Sequence, residues 1–386
     1  MIELVENQYT TSDAAIARIK VIGIGGAGGN TINSMVHAGL EHVTFIAANT
    51  DGQALEFSEA GVKVQLGSKL TKGLGSGANP ETGRRATEED LEAIIDHIDD
   101  ADIVFLTAGL GGGTGSGGAP VIARALRERN TLSIAVVTRP FEFEGKRRSQ
   151  VADEAIAQLK KTVDTLIIIP NQKLLDLADS RLSLLNAFDL INGYMGQFVK
   201  SISDIITHPG HINVDFADVQ AIMRNMGSAV MGTGRAAGEN RATEATLKAI
   251  TSPLLESQGV KGARSVLINI TGNSELGLHE VSAAAKLIHE QADEEASIVL
   301  GSVIDETMGD DVAVTIIATG FEHESGQVAA ARPPQQVAPR QNIYEAQPAR
   351  AEQPQPQSRP SEQLPQDSLE IPAALRKLVQ EQQNSQ

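Results

Sequence analysis

Two glycine runs are the residues of this sequence best equipped for chemistry. Gly23-Ile24-Gly25-Gly26-Ala27-Gly28-Gly29-Asn30 follows a short β-branched run and precedes a helix-length stretch. Gly109-Leu110-Gly111-Gly112-Gly113-Thr114-Gly115-Ser116-Gly117-Gly118 repeats the arrangement with seven glycines in ten residues. A strand, a turn without side chains and a helix N-terminus together present backbone N–H groups to an anion. The first run alone matches G-x-G-x-x-G, and Asn49-Thr50-Asp51 places an acid 23 residues beyond Gly28, able to meet a ribose. By itself that favours a dinucleotide. The second run shifts the balance, because two such termini on one sheet can grip a chain of several phosphates. Neither loop closes with Gly-Lys-Ser/Thr, so no Walker A motif is present.

A different chemistry is offered by Asn213-Val214-Asp215-Phe216-Ala217-Asp218. Read locally, Asp215 caps the next helix and Asp218 lies in its first turn. His208 and His211 flank Pro209-Gly210 beside this loop, but no third ligand type clusters with them, so no metal site is assigned. The absence of Cys excludes disulfides, thiolate metal sites and a Cys nucleophile. The net charge of −17 argues against a nucleic-acid surface. Apolar runs such as Leu166 to Ile169 are far shorter than the ~20 residues that span a bilayer. The N-terminus, MIELVENQYTTSD, lacks a signal-peptide pattern, and a cytoplasmic protein is expected.

The elements that position these residues follow from periodicity. From Arg18 to Gln172, β-branched runs (Ile19 to Ile24, Val43 to Ala47, Ile103 to Leu106, Leu132 to Val137, Leu166 to Ile169) alternate with amphipathic stretches. Such alternation predicts a parallel sheet covered on both faces. Asn79-Pro80-Glu81 reads as a cap followed by a first-turn proline. Ser183 to Thr207 carries apolar residues three and four apart and predicts a helix of about 37 Å, ended by His208-Pro209-Gly210. Ile212 to Glu322 reads as a smaller α+β domain with two helical patterns, a strand at Ser265 to Ile270 and a helix at Leu278 to Ala292. Its last two strands, Ser297 to Ile304 and Val312 to Ala318, are expected to pair as a hairpin across Met308-Gly309-Asp310.

Composition then changes. The 44 residues from His323 to Gln366 hold eight of the 15 prolines and ten glutamines, with four Glu opposing four Arg. Such a segment cannot bury enough surface to offset its ordering entropy and is expected to be disordered. Beyond it, Ile371, Leu375 and Leu378 share one face of a short helix that Pro372 can start, edged by Arg376 and Lys377. One face this short is a weak membrane anchor.

GGGTGSG looks like the tubulin signature. Together with GIGGAGGN, NTD, GLGSGANPE, FEFEGKRR and NVDFADV, in this order, it makes the chain resemble the FtsZ family of bacterial cell-division GTPases over about Arg18 to Phe321 and the terminal peptide. The resemblance implies GTP as substrate, with Mg²⁺ held mainly by its phosphates, a tubulin-like fold and head-to-tail polymerisation into a division ring at midcell under the inner membrane. The implied organisation is a flexible segment (1–17), a GTP-binding α/β domain (18–182), a central helix (183–209), an α+β domain (210–322), a linker (323–366) and a partner-binding peptide (367–386). That peptide, around Ile371, Leu375 and Arg376, is the expected docking site for membrane-tethering and regulatory proteins.

Carried over by motif, the phosphate contacts fall on Gly25, Gly26, Ala27, Gly28, Gly29 and Asn30 and on Gly111, Gly112, Gly113, Thr114, Gly115, Ser116 and Gly117. Asn49 and Asp51 lie near ribose and phosphates, Gly77 and Ala78 approach the γ-phosphate, and Glu144 and Arg148 match sugar-side positions. Phe188 and Asn192 match the guanine contacts, although spacing alone puts Phe188 in the core. The resemblance also implies that the loop with Asn213, Asp215 and Asp218 enters the nucleotide site of the next subunit, where the two aspartates polarise the attacking water. Where this family has an apolar residue the chain has His211, which leaves the loop's pH dependence open. Two rival readings are a nicotinamide oxidoreductase, disfavoured by the second glycine run and by the lack of a catalytic His set, and a GTP-binding filament protein without useful hydrolysis, disfavoured by Asp215 and Asp218.

Overall fold

The computed structural model describes residues 17–321 except 178–182, 209, 211 and 256–258. The expectations for residues 1–16, for His211, for the linker and for the terminal peptide therefore lie outside the described residues.

The first half alternates strand and helix as the pattern requires: β1 (Ile19–Ile24), α1 (Gly25–His37), β2 (Val43–Asn49), α2 (Gly52–Glu56), β3 (Val62–Gln65), α3 (Ser68–Thr71), α4 (Pro80–Glu89), α5 (Leu91–Ile98), β4 (Ile103–Gly109), α6 (Thr114–Glu128), β5 (Leu132–Arg139), α7 (Lys146–Thr162), β6 (Thr165–Pro170) and α8 (Asn171–Leu177). All its strands are parallel, in the order β3-β2-β1-β4-β5-β6. Successive side chains of β1 point to opposite faces. Ile19 and Val21 join a core with Ile32 and Met35 of α1, whereas Ile22 and Ile24 join another with Ile94 of α5 and Leu126 of α6. Both faces are thus covered, and every residue of β1 is buried.

The second half comprises α9 (Leu184–Thr207), α10 (Phe216–Met223), β7 (Gly227–Ala237), α11 (Arg241–Ile250), β8 (Ser265–Gly272), α12 (Leu278–His289), β9 (Ser297–Ile304) and β10 (Asp311–Thr319). Ser183 caps α9 by accepting from the Asn186 N–H at 3.1 Å. The 24 residues of α9 run for about 36 Å. Phe198 and Ile202 of α9 share one core with Phe105 and Ile134 of the first half and Met231, Leu267 and Ile317 of the second. The sheet itself continues across the expected boundary, because β7 pairs in parallel with β6 through Thr165, Leu166 and Ile167.

Two expectations are corrected. The last strands form no hairpin: β10 lies between β7 and β8, antiparallel to both, while β9 pairs in parallel with β8 at the sheet edge. Central placement suits β10, whose Val312, Val314 and Ile316 are fully buried against α11 and α12. The segment read as only helical also contains β7, an 11-residue strand. Its small residues admit α11 to close range, for a Cβ on Gly234 would fall 2.0 Å from the Ala245 carbonyl oxygen.

Candidate nucleotide site

The two glycine runs meet as the sequence anticipates. Helix α1 starts at Gly25 and α6 at Thr114, and neither N-cap residue, Ile24 or Gly113, supplies a side-chain hydrogen bond. Both helices therefore keep first-turn N–H groups without a side-chain cap. They adjoin each other: a Cβ on Gly25 would lie 3.1 Å from the Gly115 nitrogen and 3.3 Å from the Thr114 Cβ. Between them and the first half of α9 lies a cavity of about 290 Å³. Gly25, Gly26, Ala27, Gly112, Gly113, Thr114 and Gly115 line one side, and Glu144, Arg148, Phe188 and Asn192 line the other.

The remaining candidates stand elsewhere. Gly29, Asn30 and Asn49 line an adjoining cavity of about 200 Å³ that shares Gly25 and Gly26 with the first. Asn49 is buried and accepts from the Asp51 N–H at 3.2 Å, and Asp51 caps α2 by accepting from Gln53 and Ala54. Gly77 and Ala78 are exposed in a loop where both have positive φ, +60° and +56°. Ser116 turns its hydroxyl to accept from the Gly111 N–H at 2.9 Å, so both shape the loop from behind. Gly28 and Gly117 serve packing instead of the cavity wall. A Cβ on Gly28 would strike the Thr107 carbonyl oxygen at 2.6 Å, and one on Gly117 the Pro80 carbonyl oxygen at 2.0 Å.

Phe188 is not a core residue. It is 38 % exposed on the cavity wall, edge-on to the buried Phe141 with centroids 5.5 Å apart. Asn192 Oδ1 lies 3.0 Å from the Thr31 hydroxyl. Glu144 accepts from the Phe141 N–H at 3.0 Å and pairs with Arg148 at 2.5 Å. Three polar lining residues, Thr31, Thr138 and Asn171, stand outside every motif, and a fourth, Ser76, lies within GLGSGANPE, where only Gly77 and Ala78 are assigned a contact. Asn171 is 4 % exposed, and among the described residues its Oδ1 has no hydrogen-bond partner although the residue borders the cavity. An orphaned buried amide oxygen is costly unless a ligand donor meets it.

Asn213, Asp215 and Asp218 line neither cavity. They stand past the far end of α9, and the 15 residues from Asn192 to Thr207 put about 22 Å of helix between the two places. Asp215 Oδ1 accepts from the Asp218 N–H at 2.8 Å and Asp218 Oδ2 from the Asp215 N–H at 3.4 Å, a reciprocal cap of α10. Asn213 Oδ1 accepts from the Gly210 N–H at 2.8 Å. Nearby, His208 faces Asp204 at 3.6 Å and the His42 ring. Among the described residues no group of three or more His, Asp or Glu is placed to hold a metal, and no helix is long and apolar enough to cross a membrane.

A parallel sheet with two paired glycine-loop helix termini, an aromatic-walled cavity and a long helix leading into an antiparallel second half defines a tubulin-like nucleotide-binding protein. The Tubulin/FtsZ family GTPase domain matches residues 18–179, and the FtsZ family C-terminal domain matches residues 227–322. An FtsZ dimer from M. jannaschii is 42 % identical with a TM-score of 0.75, covering 79 % of this chain and 88 % of that one. CetZ1 from Haloferax volcanii, a GDP-bound monomer, is 25 % identical with a TM-score of 0.69, covering 79 % of this chain and 94 % of that one. CetZ2 from the same organism, a GTPγS-bound protofilament, shares the fold at 22 % identity and a TM-score of 0.68, covering 79 % of this chain and 93 % of that one. The chain belongs to the FtsZ family and is a tubulin-like GTPase.

Proposed function

We propose that the chain polymerises head-to-tail and hydrolyses GTP at each subunit junction, forming the cytoplasmic filament of the division ring at midcell. The uncapped termini of α1 and α6 bind the phosphates, and Phe188 stacks on the guanine. Asn192 and the orphaned Oδ1 of Asn171 read its edge, the latter as an acceptor that a guanine N–H can satisfy. Among the described residues no carboxylate cluster would hold Mg²⁺, so the ion would be held mainly by the nucleotide's own phosphates and, when bound, would supply charge neutralisation to phosphoryl transfer.

The observation that carries the shared site is the separation of the two parts. Carboxylates that position a water must act within a hydrogen bond or through one water, and about 22 Å of helix keeps these from their own cavity. A neighbour stacked along the α9 axis supplies them. In the reciprocal cap each aspartate commits one oxygen, Oδ1 of Asp215 and Oδ2 of Asp218. The other oxygen of each remains for a water proton as the water oxygen bonds to the γ-phosphorus and GDP departs. The terminal peptide around Ile371, Leu375 and Arg376 tethers the filament to membrane-associated division proteins.

The test mixes two variants. Asp215→Ala binds GTP without hydrolysing it; Gly26→Val fills the phosphate wall, where nothing lies within 4 Å of the added Cβ, and excludes nucleotide. Each alone should be inactive, and the mixture should recover turnover at junctions that combine one intact cavity with one intact loop. Turnover per subunit that stays flat down to concentrations without oligomers refutes the shared site.

A further inference from the structure

β9 is an edge strand, paired with β8 on one side only. Ser297 faces β8, its N–H donating to the Arg264 carbonyl at 2.9 Å, so the even-numbered residues of the strand turn their N–H and C=O groups outward. An edge of this kind is a liability that folds cover. At Ser302 the cover is the segment that carries Asn213 and Asp215.

Ser302, 2 % exposed, holds that segment by both backbone groups of Ile212. Its N–H donates to the Ile212 carbonyl at 3.1 Å, and its Oγ accepts from the Ile212 N–H at 2.9 Å. The flanking residues are shaped for the contact. A Cβ on Gly210 would fall 1.6 Å from the Ser302 carbonyl oxygen, and one on Gly301 would fall 2.3 Å from Ile205 Cδ1 and 3.0 Å from Val214 Cγ2. Two missing side chains thus let the segment and the last turn of α9 lie directly on β9.

Asn213, Asp215 and Asp218 are themselves exposed, and their hydrogen bonds are local: the two aspartates bond to each other, and Asn213 to Gly210. Such bonds shape the segment without fixing it to the sheet. Ile212 stands three residues before Asp215, so at most about 11 Å of chain separates the clamp from the carboxylate. A misplacement of about 1 Å at the reacting groups can cost about a hundredfold in rate.

We infer that Ser302 is a positioning residue for hydrolysis, docking Ile212 on the β9 edge and so setting where Asp215 stands when it enters the neighbouring subunit's cavity. This rests on the reading of the site as shared between subunits. The phosphate-binding loops lie in the other half of the molecule, so the clamp governs turnover and leaves GTP binding alone.

The test compares Ser302→Ala, Ser302→Thr and Ser302→Val in the full chain. Thr and Val have the same shape and both suit a strand, but only Thr keeps an oxygen for the Ile212 N–H. GTP affinity, titrated at concentrations too low for assembly, should match the parent for all three. Turnover per assembled subunit, with assembly followed by light scattering, should fall about tenfold or more for Ala and Val and be largely kept by Thr. Ser302→Ala mixed with Gly26→Val, which brings an intact loop and no nucleotide, should regain turnover. Parental turnover by Ser302→Ala, or equal turnover by Thr and Val, overturns the inference, because the hydroxyl then positions nothing. A loss that Gly26→Val does not repair overturns it too, since the defect would lie in the variant's own cavity or fold. If Asp215→Ala and Gly26→Val also fail to complement each other, it is the shared site that is refuted, and the inference falls with it.

Discussion

Gly117→Ala should destabilise the fold and act on nucleotide only secondarily, although Gly117 belongs to the motif that the sequence assigns to phosphate. The added Cβ would lie 2.0 Å from the Pro80 carbonyl oxygen and 2.5 Å from the Arg84 nitrogen, both backbone atoms of α4. Ordinary contact begins near 3.4 Å, so α4 must withdraw by 3.4 − 2.0 = 1.4 Å at that point. Overpacking of this kind costs about 1–3 kcal/mol, and with rigid backbone as the obstacle the upper end applies. For a folded body of about 300 residues, at roughly 2.1 cal/mol/K of unfolding entropy per residue, about 3 kcal/mol lowers the melting temperature by roughly 5 °C.

Gly26→Ala is the matched control. No atom lies within 4 Å of its Cβ, and Ala in a helix is about 0.5–1 kcal/mol better than Gly, so the nucleotide-free protein should melt at or slightly above the parent temperature. Its methyl group narrows the phosphate wall, so GTP affinity should fall. Thermal melting without nucleotide and GTP titration of each variant make the comparison. A Gly117→Ala protein that melts like the parent while Gly26→Ala loses several degrees would refute the division of labour among the glycines.

Phe188→Ala should weaken GTP binding about tenfold, the value of base-on-aromatic stacking, with little change in melting because the ring is 38 % exposed; equilibrium dialysis with GTP measures it. Glu280 is held below the usual carboxylate range by its hydrogen bond to Arg241, against the opposing effect of burial. That stabilisation is complete above the unfolded pKa of about 4.3 and is lost as the pH falls through the lower folded value. Glu280→Gln should therefore cost about 1–2 kcal/mol in urea titrations from pH 8 to about 5, with the gap to the parent closing at lower pH.

What the sequence makes legible is what is local. The glycine runs, the Asn79 cap and the long helix are each encoded within one stretch, and β1 is read to the residue. β7 is hidden because Gly232 and Gly234, chosen for the approach of α11, replace the branched residues that announce a strand. β3 is four residues long at an edge, too short for its V-K-V-Q alternation to stand out. The polar contacts between distant stretches are illegible for a related reason: Ser76 meets Thr114 across 38 positions and Thr31 meets Asn192 across 161, so no spacing rule connects them, although Thr114 and Asn192 are each read from their own motifs. Phe188 misleads by periodicity, because the first turns of α9 project past the core, leaving Leu184 and Leu185 61 % and 71 % exposed.

Asp215 poses the reverse problem, in that its local reading is visible in the structure and its functional one is a proposal. The two separate through a single substitution. Asn caps a helix about as well as Asp, since its Oδ1 can accept from the same Asp218 N–H, whereas Ala loses the cap at about 1 kcal/mol. A neutral amide cannot draw a proton from water. Asp215→Asn should therefore melt like the parent, bind GTP and assemble, yet turn over as poorly as Asp215→Ala, while Asp215→Ala alone melts lower. If Asp215→Asn instead kept full turnover, the carboxylate would be only a cap, and the water would have to be positioned by Asp218 alone or by the nucleotide half itself.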